Sequence, residues 1–565
     1  MRIVNKKKLG SALKFSINKT LLCTVLQLFA TKSIVGQNHP VKLLEHEISI
    51  SGSFGEFRGN HIHAGIDFKT GKKEGIPVLA AADGYVYRIL VSRTGYGKAI
   101  YLNHENNLTT VYAHLRAFSS IVEDTVLNLQ KKQRHFEIDH FPTKMAIKVK
   151  KGQVIGYSGN SGSSEGPHLH FETRNTALEM PFDPSMVGIS YPDQIPPSIQ
   201  RIFLYDLQQP QMIFPLPNPR SFQINHQDTI PIGPFTVLGL EAFDLAGNEP
   251  NRLGIRSIKV YLDNQPFLYF ENGPFTFGQS SHITAMIDQK LRRSAIESFL
   301  CLRAEGNKLP FYKMGYEGGI ITAHDGQTII CKVEVVDRNL NMTEKRFVLS
   351  FSNEMIAQPH DDSTYTIRSG EKKSFSCGAF TVAFEETSLH GASPVSIDSL
   401  PGQPYSFKWG PEGISINKSV KISYDLSVIP QPLREKTIIV RSQDGKEWTS
   451  IGGKIVGQRL EASSSNNGIF SLRHDNEGPE LGTLSYFKDD YTGKRALLIK
   501  IKDELSGVET IRCKIDGHWV VSEYNSNRNE LIIYDIEKFN NKKLEIKAID
   551  KRSNETRSQM RIKTD

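Results

Sequence analysis

The 565-residue sequence predicts a mainly β protein made of modules in tandem. Three observations carry that expectation. From about residue 196 to the end, short runs rich in β-branched residues are broken by Gly, Asn, Asp and Pro, with few helical periods. That is the pattern of consecutive β-sandwiches. An internal repeat divides this region into units. The stretch from about 52 to 174 is rich in glycine and β-branched residues, and histidines recur in it at strand spacing.

The leader comes first. Arg2, Lys6, Lys7, Lys8, Lys14 and Lys19 form a basic segment without any acid, and an apolar core follows over 21–30. That core is too short to span a bilayer stably, so 1–36 reads as a signal peptide cleaved between Ala30 and Gln37. Retention as an uncleaved anchor is the alternative. Residues 1–36 hold seven basic residues, the six above and Lys32, so the formal +8 becomes 8 − 7 = +1 after processing. A nearly neutral mature chain gives no support for nucleic-acid binding. No later segment is apolar for long enough to be a membrane helix. The chain is therefore expected to be exported, to the periplasm or cell envelope or beyond.

The unit expected over 37–195 carries the chemistry. In Gly166-Pro167-His168-Leu169-His170-Phe171-Glu172, residues two apart on a strand point to one face, so His168 and His170 present two imidazoles to one cavity. Upstream, His63-Ala64-Gly65-Ile66-Asp67 supplies an imidazole and a carboxylate, and Tyr112-Ala113-His114-Leu115 a further imidazole. A catalytic zinc needs three such protein ligands and a fourth position left to water, so the set implies a zinc hydrolase. A His-x-His pair alone is weak, since His61 and His63 make another; order and context carry the reading. His61 and His104 read as loop or solvated histidines. Gly159-Asn160-Ser161-Gly162 lacks the His and Asp contexts of a serine hydrolase, and neither a phosphate-binding loop nor a dinucleotide fingerprint is present.

These residues resemble a known family. His63 to Asp67, Tyr112 to Leu115, Lys151 to Gly156 and Gly166 to Glu172 match, in order, the motifs of the lysostaphin/LytM-type zinc endopeptidases of peptidoglycan. The resemblance covers about 52–174. It implies an antiparallel-β catalytic domain with one zinc ion bound by His63, Asp67 and His170. It also implies that His114 and His168 flank the metal without binding it, one as general base and one steadying the oxyanion. Which does which stays open. The activity implied is hydrolysis of peptide bonds in the cross-links or stem peptides of the bacterial wall. A non-catalytic adaptor that activates another wall hydrolase is the alternative. Where relatives often carry a Tyr before the first ligand this chain has Phe54, so Tyr96 or Tyr112 is the substitute to look for. Glu172 shares the face of His168 and His170, as a hydrogen-bond partner of a ligand imidazole or as a buried structural carboxylate.

Between His114 and the Lys151-Gly152-Gln153 segment, residues 119–146 form an insert. Its start, from Ile121 to Lys132, reads as an amphipathic helix, and a polar, aromatic loop follows. A loop leaving the catalytic His114 is expected to narrow the cleft, or else to be a surface excursion or docking face.

Beyond a linker at 191–197, two related Ig-like β-sandwiches are expected, at 196–352 and 478–565, around a different β-rich module at 360–477. The repeat is seen in 254–264 and 507–517, each a strand ending in a hairpin turn at Asp263-Asn264 or Asp516-Gly517. It is seen again in Asp337-x-x-x-Asn341 and Asp550-x-x-x-Asn554, and in the similar Asp244 to Asn248. These aspartates read as Asx-turns closing strands rather than calcium ligands. Cys301, Cys331, Cys377 and Cys513 are scattered and read as free thiols, a Cys301–Cys331 pair being the alternative in an exported chain. Partners implied are wall peptides and, through the β modules, envelope proteins.

Overall fold

Alternation along one strand organises the N-terminal unit. In the computed structural model, residues 41–45, 48–224, 229–246, 251–315, 317–355 and 365–563 are described, and the expected signal peptide lies outside them. We label the elements used below β1 (Ile50–Gly52), β2 (Ile66–Lys69), β3 (Gly84–Val91), β4 (Lys98–Asn103), β5 (Leu108–Ala113), α1 (Ser120–Gln133), β6 (Ile138–His140) and β7 (His168–Asn175). They form an antiparallel sheet in the order β1-β2-β7-β5-β4-β3-β6. Leu169 and Phe171 of β7 enter an apolar core with Ile66, Phe68 and Tyr112. The alternate positions His168, His170, Glu172 and Arg174 line the other face, as a period of two requires. A smaller sheet of Pro77–Leu79, Val154–Tyr157 and Ala117–Phe118 accompanies it. At Gly65, next to β2, an added Cβ would stand 2.2 Å from the Phe171 carbonyl oxygen, so this close approach to β7 needs a glycine.

The insert is ordered structure rather than a lid. Val122 and Val126 of α1 are buried in the main core, and β6 extends the sheet by pairing with β3. Three strands, β5, β4 and β3, separate it from β7. The insert thus builds the far edge of the sheet.

Three further pairs of sheets follow, each around an apolar core. The first pair includes Ser198–Leu207 and Phe235–Leu245 in one sheet, and Ser257–Leu262, Thr328–Val336 and Met342–Phe351 in the other. The second holds Trp409, Phe380 and Tyr424 at its centre. The third packs Glu480–Lys488 and Arg495–Lys502 against Val508–Ile515 and Lys543–Asp550. The repeated hairpins are present: Asp263 and Asn264 have φ of 47° and 63°, and Asp516 and Gly517 have 47° and 80°. Those angles fit two-residue turns with both central residues left-handed. Cys301, Cys331, Cys377 and Cys513 are free. Among the described residues no helix is long and apolar enough to cross a membrane.

Two contacts tie these units together. The short hairpin Phe57–Arg58 with His61–Ile62 belongs to the N-terminal unit by sequence, yet Phe54, Phe57, Ile62 and Ala64 pack into the core of the first pair of sheets. Phe54 stands 6.0 Å from Phe275 and Phe57 6.1 Å from Phe299. The third pair docks on the N-terminal unit through Arg116 with Asp489 (2.7 Å) and Lys98 with Glu523 (2.7 Å).

Candidate functional site

Antiparallel register brings the first two site residues together. Asp67 on β2 is the direct cross-strand neighbour of His170 on β7, and Oδ1 of Asp67 lies 2.8 Å from His170 Nδ1. His63 arrives from the hairpin, its backbone N–H donating to the Glu56 carbonyl. Its Nε2 lies 3.1 Å from Asp67 Oδ1 and 3.1 Å from His170 Nδ1. All three residues are buried.

The tautomers follow from the hydrogen bonds on the far side of each ring. His63 Nδ1 donates to the Ser53 carbonyl (2.7 Å), leaving Nε2 as a lone pair. His170 Nε2 donates to Glu172 Oε1 (2.9 Å), leaving Nδ1 as a lone pair. Asp67 Oδ2 accepts from Arg58 (2.7 Å), which frees Oδ1 for the site. Three lone pairs at this range repel, and a shared proton or a metal ion between them relieves it. Ligands about 2.0–2.1 Å from one tetrahedral ion stand about 3.4 Å apart, so the triangle here, with edges of 2.8, 3.1 and 3.1 Å, needs only a small expansion to take one. The residues therefore fit a metal ion. The electrostatics agree. Against the cost of burial, Asp67 and Glu172 hold the His170 imidazole up at about 9. Burial is likewise outweighed at Asp67, where His63, His170 and Arg58 keep the carboxyl well below its usual range.

The other two histidines flank this triangle. His114 follows β5, whose Ala113 pairs with His170; its ring centroid is 4.8 Å from that of His168 and 5.8 Å from that of His170. Its φ of 59° is the left-handed region, uncommon for a residue with a Cβ. Its Nδ1 donates to the Ser161 carbonyl (2.9 Å), and His168 Nδ1 donates to that of Gly166 (2.8 Å). Each thus keeps a free Nε2, that of His168 lying 3.6 Å from Asp67 Oδ1. Burial, then His170 and His168, push His114 down to about 3. Burial also lowers His168. Both are neutral bases at neutral pH.

The region that contains these residues, 61–131 and 132–184, matches peptidase family M23. The chain carries an M23 domain. It is 34% identical over 132 residues to the DD-carboxypeptidase/endopeptidase Mpg of Neisseria meningitidis, a match spanning 23% of this chain and 24% of that protein. It is 32% identical over 110 residues to the peptidoglycan DD-endopeptidase ShyC of Vibrio cholerae, over 20% of this chain and 19% of that one. The match thus spans about a quarter, or less, of these relatives' length. Among solved structures, the catalytic domain of lysostaphin from Staphylococcus simulans is 26% identical over 24% of this chain and 86% of its own, with a TM-score of 0.18.

Around the M23 triangle stands a layer of residues that the sequence motifs placed only in part. Glu172, fully buried, accepts from His170, from the Tyr96 hydroxyl (2.5 Å) and from Arg174 Nε (2.6 Å). Against burial, Arg174 and His170 pull it down to about 2. Of the tyrosines, Tyr96 lies beside His170, at 5.6 Å between ring centroids. Tyr112 instead lies in the apolar core and accepts from the Ala81 N–H. Phe54 is likewise in a core, beneath Arg338. His61 is exposed on the hairpin, and His104 bonds Thr110 and the Asp83 carbonyl, away from the triangle. Arg58 and Ser53 have no motif signal; Glu172 and Arg174 were readable from alternation along β7. At Gly52, an added Cβ would meet Arg58 Nη2 at 2.0 Å and Asp67 Oδ2 at 2.7 Å, so the Arg58–Asp67 bond passes where a side chain would stand.

A cavity of about 630 Å³ opens between the M23 domain and the third pair of sheets. Arg116, Asn160 and Pro167 line it from one side, Asp489, Tyr491 and Tyr534 from the other. Asn160 Oδ1 is buried there without a partner. No residue of 119–146 borders it.

Proposed function

We propose that this chain is an exported, zinc-dependent endopeptidase that hydrolyses peptide bonds in the cross-links or stem peptides of bacterial peptidoglycan. The observation that carries the reading is the convergence of His63 Nε2, Asp67 Oδ1 and His170 Nδ1, with two neutral histidines beside them. The activities for which Mpg and ShyC are named support the substrate class.

His63, Asp67 and His170 would hold the zinc ion. When bound, zinc supplies Lewis acidity and lets water act as a nucleophile at neutral pH. The protein does the rest. Ser53 and Glu172 fix the tautomers of the two ligand imidazoles, and Arg58 fixes the carboxylate. His114 and His168 each offer Nε2, one to take the proton from the attacking water and return it to the leaving amine, the other to steady the oxyanion as it forms. A base must be neutral to accept a proton, and burial keeps both so. The left-handed backbone of His114, held by its N–H to the Tyr96 carbonyl (2.9 Å), is the strained geometry often found at reacting groups. All five residues stand, which favours an enzyme over an adaptor. The cavity beside Pro167 is the approach for the peptide.

Purified wall sacculi are incubated with the zinc-loaded full chain, and new termini are identified by mass spectrometry. New amine and carboxyl ends within the peptide portion, absent with His170→Ala, are expected. Sacculi left intact by a folded, zinc-loaded chain would reject the enzyme. Binding without cleavage, with stimulation of a second hydrolase, would establish the adaptor instead.

A further inference from the structure

Away from the M23 triangle, another set of carboxylates gathers where the chain leaves that domain for the first sandwich. Asp193 lies in the connecting segment, Asp244 near the end of Phe235–Leu245, and Asp337 just past Thr328–Val336. Each offers an oxygen within 4.8 Å of the others. Asp244 decides what this cluster is. It is 0% exposed, and among the described residues neither of its carboxylate oxygens has a hydrogen-bond partner. Asp193 Oδ2 is unpartnered among them as well, while its Oδ1 accepts from the Ile195 N–H (3.0 Å). A buried bare carboxylate facing two others needs a compensating positive charge. Burial, then Asp193 and Asp337, push the Asp244 carboxyl up to about 7. The nearby Arg338 turns elsewhere: its Nη1 pairs with Asp183 (2.8 Å) and its guanidinium covers Phe54. Among the described residues no Lys or Arg pairs with any of the three.

The frame around the cluster is built. Asp337 Oδ1 accepts from the N–H groups of Asn339 (2.8 Å) and Asn341 (2.9 Å), and its Oδ2 from Asn341 Nδ2 (2.8 Å). The Asx-turn expected there is present, and it aims the carboxylate at Asp244 and Asp193. The same frame recurs at Asp475, Asp503 and Asp550, where Asn554 reaches both Asp550 and the Asp475 carbonyl. There, among the described residues, no carboxylate oxygen is buried without a partner, Asp475 and Asp503 accepting backbone N–H groups from Ser506 and Gly507, so that cluster carries no inference of its own.

We propose that Asp193, Asp244 and Asp337 form a site for a divalent cation of the calcium type, which clamps the exit of the M23 domain onto the first sandwich. An all-oxygen donor set selects hard cations, in contrast to the imidazole-containing triangle of the M23 domain. Calcium sites of extracellular modules bind at about 0.1–1 mM.

The test is equilibrium dialysis of the zinc-loaded full chain against radioactive calcium, with zinc buffered. Asp244→Asn should bind one calcium fewer per chain than the wild type, with zinc content unchanged. Asp193→Asn, whose side chain is only partly buried, guards against a folding failure and should bind one fewer or about tenfold more weakly. Calcium should raise the thermal unfolding midpoint of the wild type and leave that of Asp244→Asn unmoved. A wild-type chain that binds no calcium at about 10 mM, ten times the weak end of that range, would overturn the proposal. So would equal stoichiometry and affinity in both variants.

Discussion

Glu172→Gln separates the proposed metal-holding role of the ladder on β7 from its structural one. The wild-type carboxylate accepts from His170 Nε2 through Oε1 and from Arg174 Nε through Oε2. Glutamine keeps one oxygen and turns an amide N–H₂ toward one of two donors. If it faces His170, the ring is pushed to the other tautomer, and Nδ1 acquires the proton where the metal should bind. A hydrogen bond to a charged group is worth about 1.5–3 kcal/mol. At about 1.4 kcal/mol per decade, its loss predicts zinc affinity lower by roughly 10- to 100-fold, the range usual for partners of ligand histidines. Arg174, 5% exposed, is left with the Tyr96 hydroxyl and aromatic faces. Breaking such a buried pair costs about 3–5 kcal/mol. Chelator competition reads the first effect and urea unfolding of the metal-free chain the second. A folded variant whose zinc affinity lies within about twofold of wild type would refute the tautomer argument.

Other outcomes follow from the same geometry. His114→Ala and His168→Ala should keep zinc but lose about a hundredfold or more in turnover; metal loss in either would show that the ligand set is misassigned. Phe54→Ala should destabilise the chain by about 3–5 kcal/mol in urea unfolding and also weaken zinc binding, because the adjacent Ser53 carbonyl orients His63. Tyr491→Ala removes a wall of the cavity and a ring 4.9 Å from Tyr157, and should raise KM or shift the cleaved bonds while leaving kcat and zinc content unchanged. Replacing 119–146 by a short Gly/Ser connection should leave the cleavage profile unaltered, since the insert lies at the far edge of the sheet. A shifted profile there would restore it to the substrate path.

Local periodicity made part of this legible. The alternation of His168, His170 and Glu172 needs only the pleat of a strand, and the helix from 120 to 133 needs only Val122 and Val126 one turn apart. The hairpin turns at Asp263 and Asp516 follow from residues that tolerate positive φ. The pairing of Asp67 with His170 is another matter. It spans 103 residues, and register over that distance depends on the whole sheet. Family resemblance reached it where spacing could not. Arg58 and Ser53 were invisible because one acts from a two-residue strand and the other through a backbone carbonyl, which any residue could supply. The Asx-turn at Asp337 was readable, but its meeting with Asp193 and Asp244 was not, since the three come from separate segments.

The same long-range packing changes what the modules are for. Sequence places a linker at 191–197, yet the apolar core of the first sandwich includes Phe54 together with Ile62 and Ala64, the residues on either side of His63. The position proposed as a metal ligand is therefore braced by a core that the sequence motifs do not include. On the opposite flank, Lys98 donates to the Arg116 carbonyl and to Glu523 of the third sandwich, while Arg116 itself pairs with Asp489. Arg116 lies two residues past His114. Yet the backbone N–H groups of His114, Leu115 and Arg116 are bonded to the Tyr96, Lys98 and Tyr157 carbonyls within the M23 domain. The left-handed turn at His114 is held without help from the third sandwich. The two flanks thus differ in kind: the first sandwich supports the geometry of the proposed metal site, and the third walls the cavity proposed as the approach for the peptide.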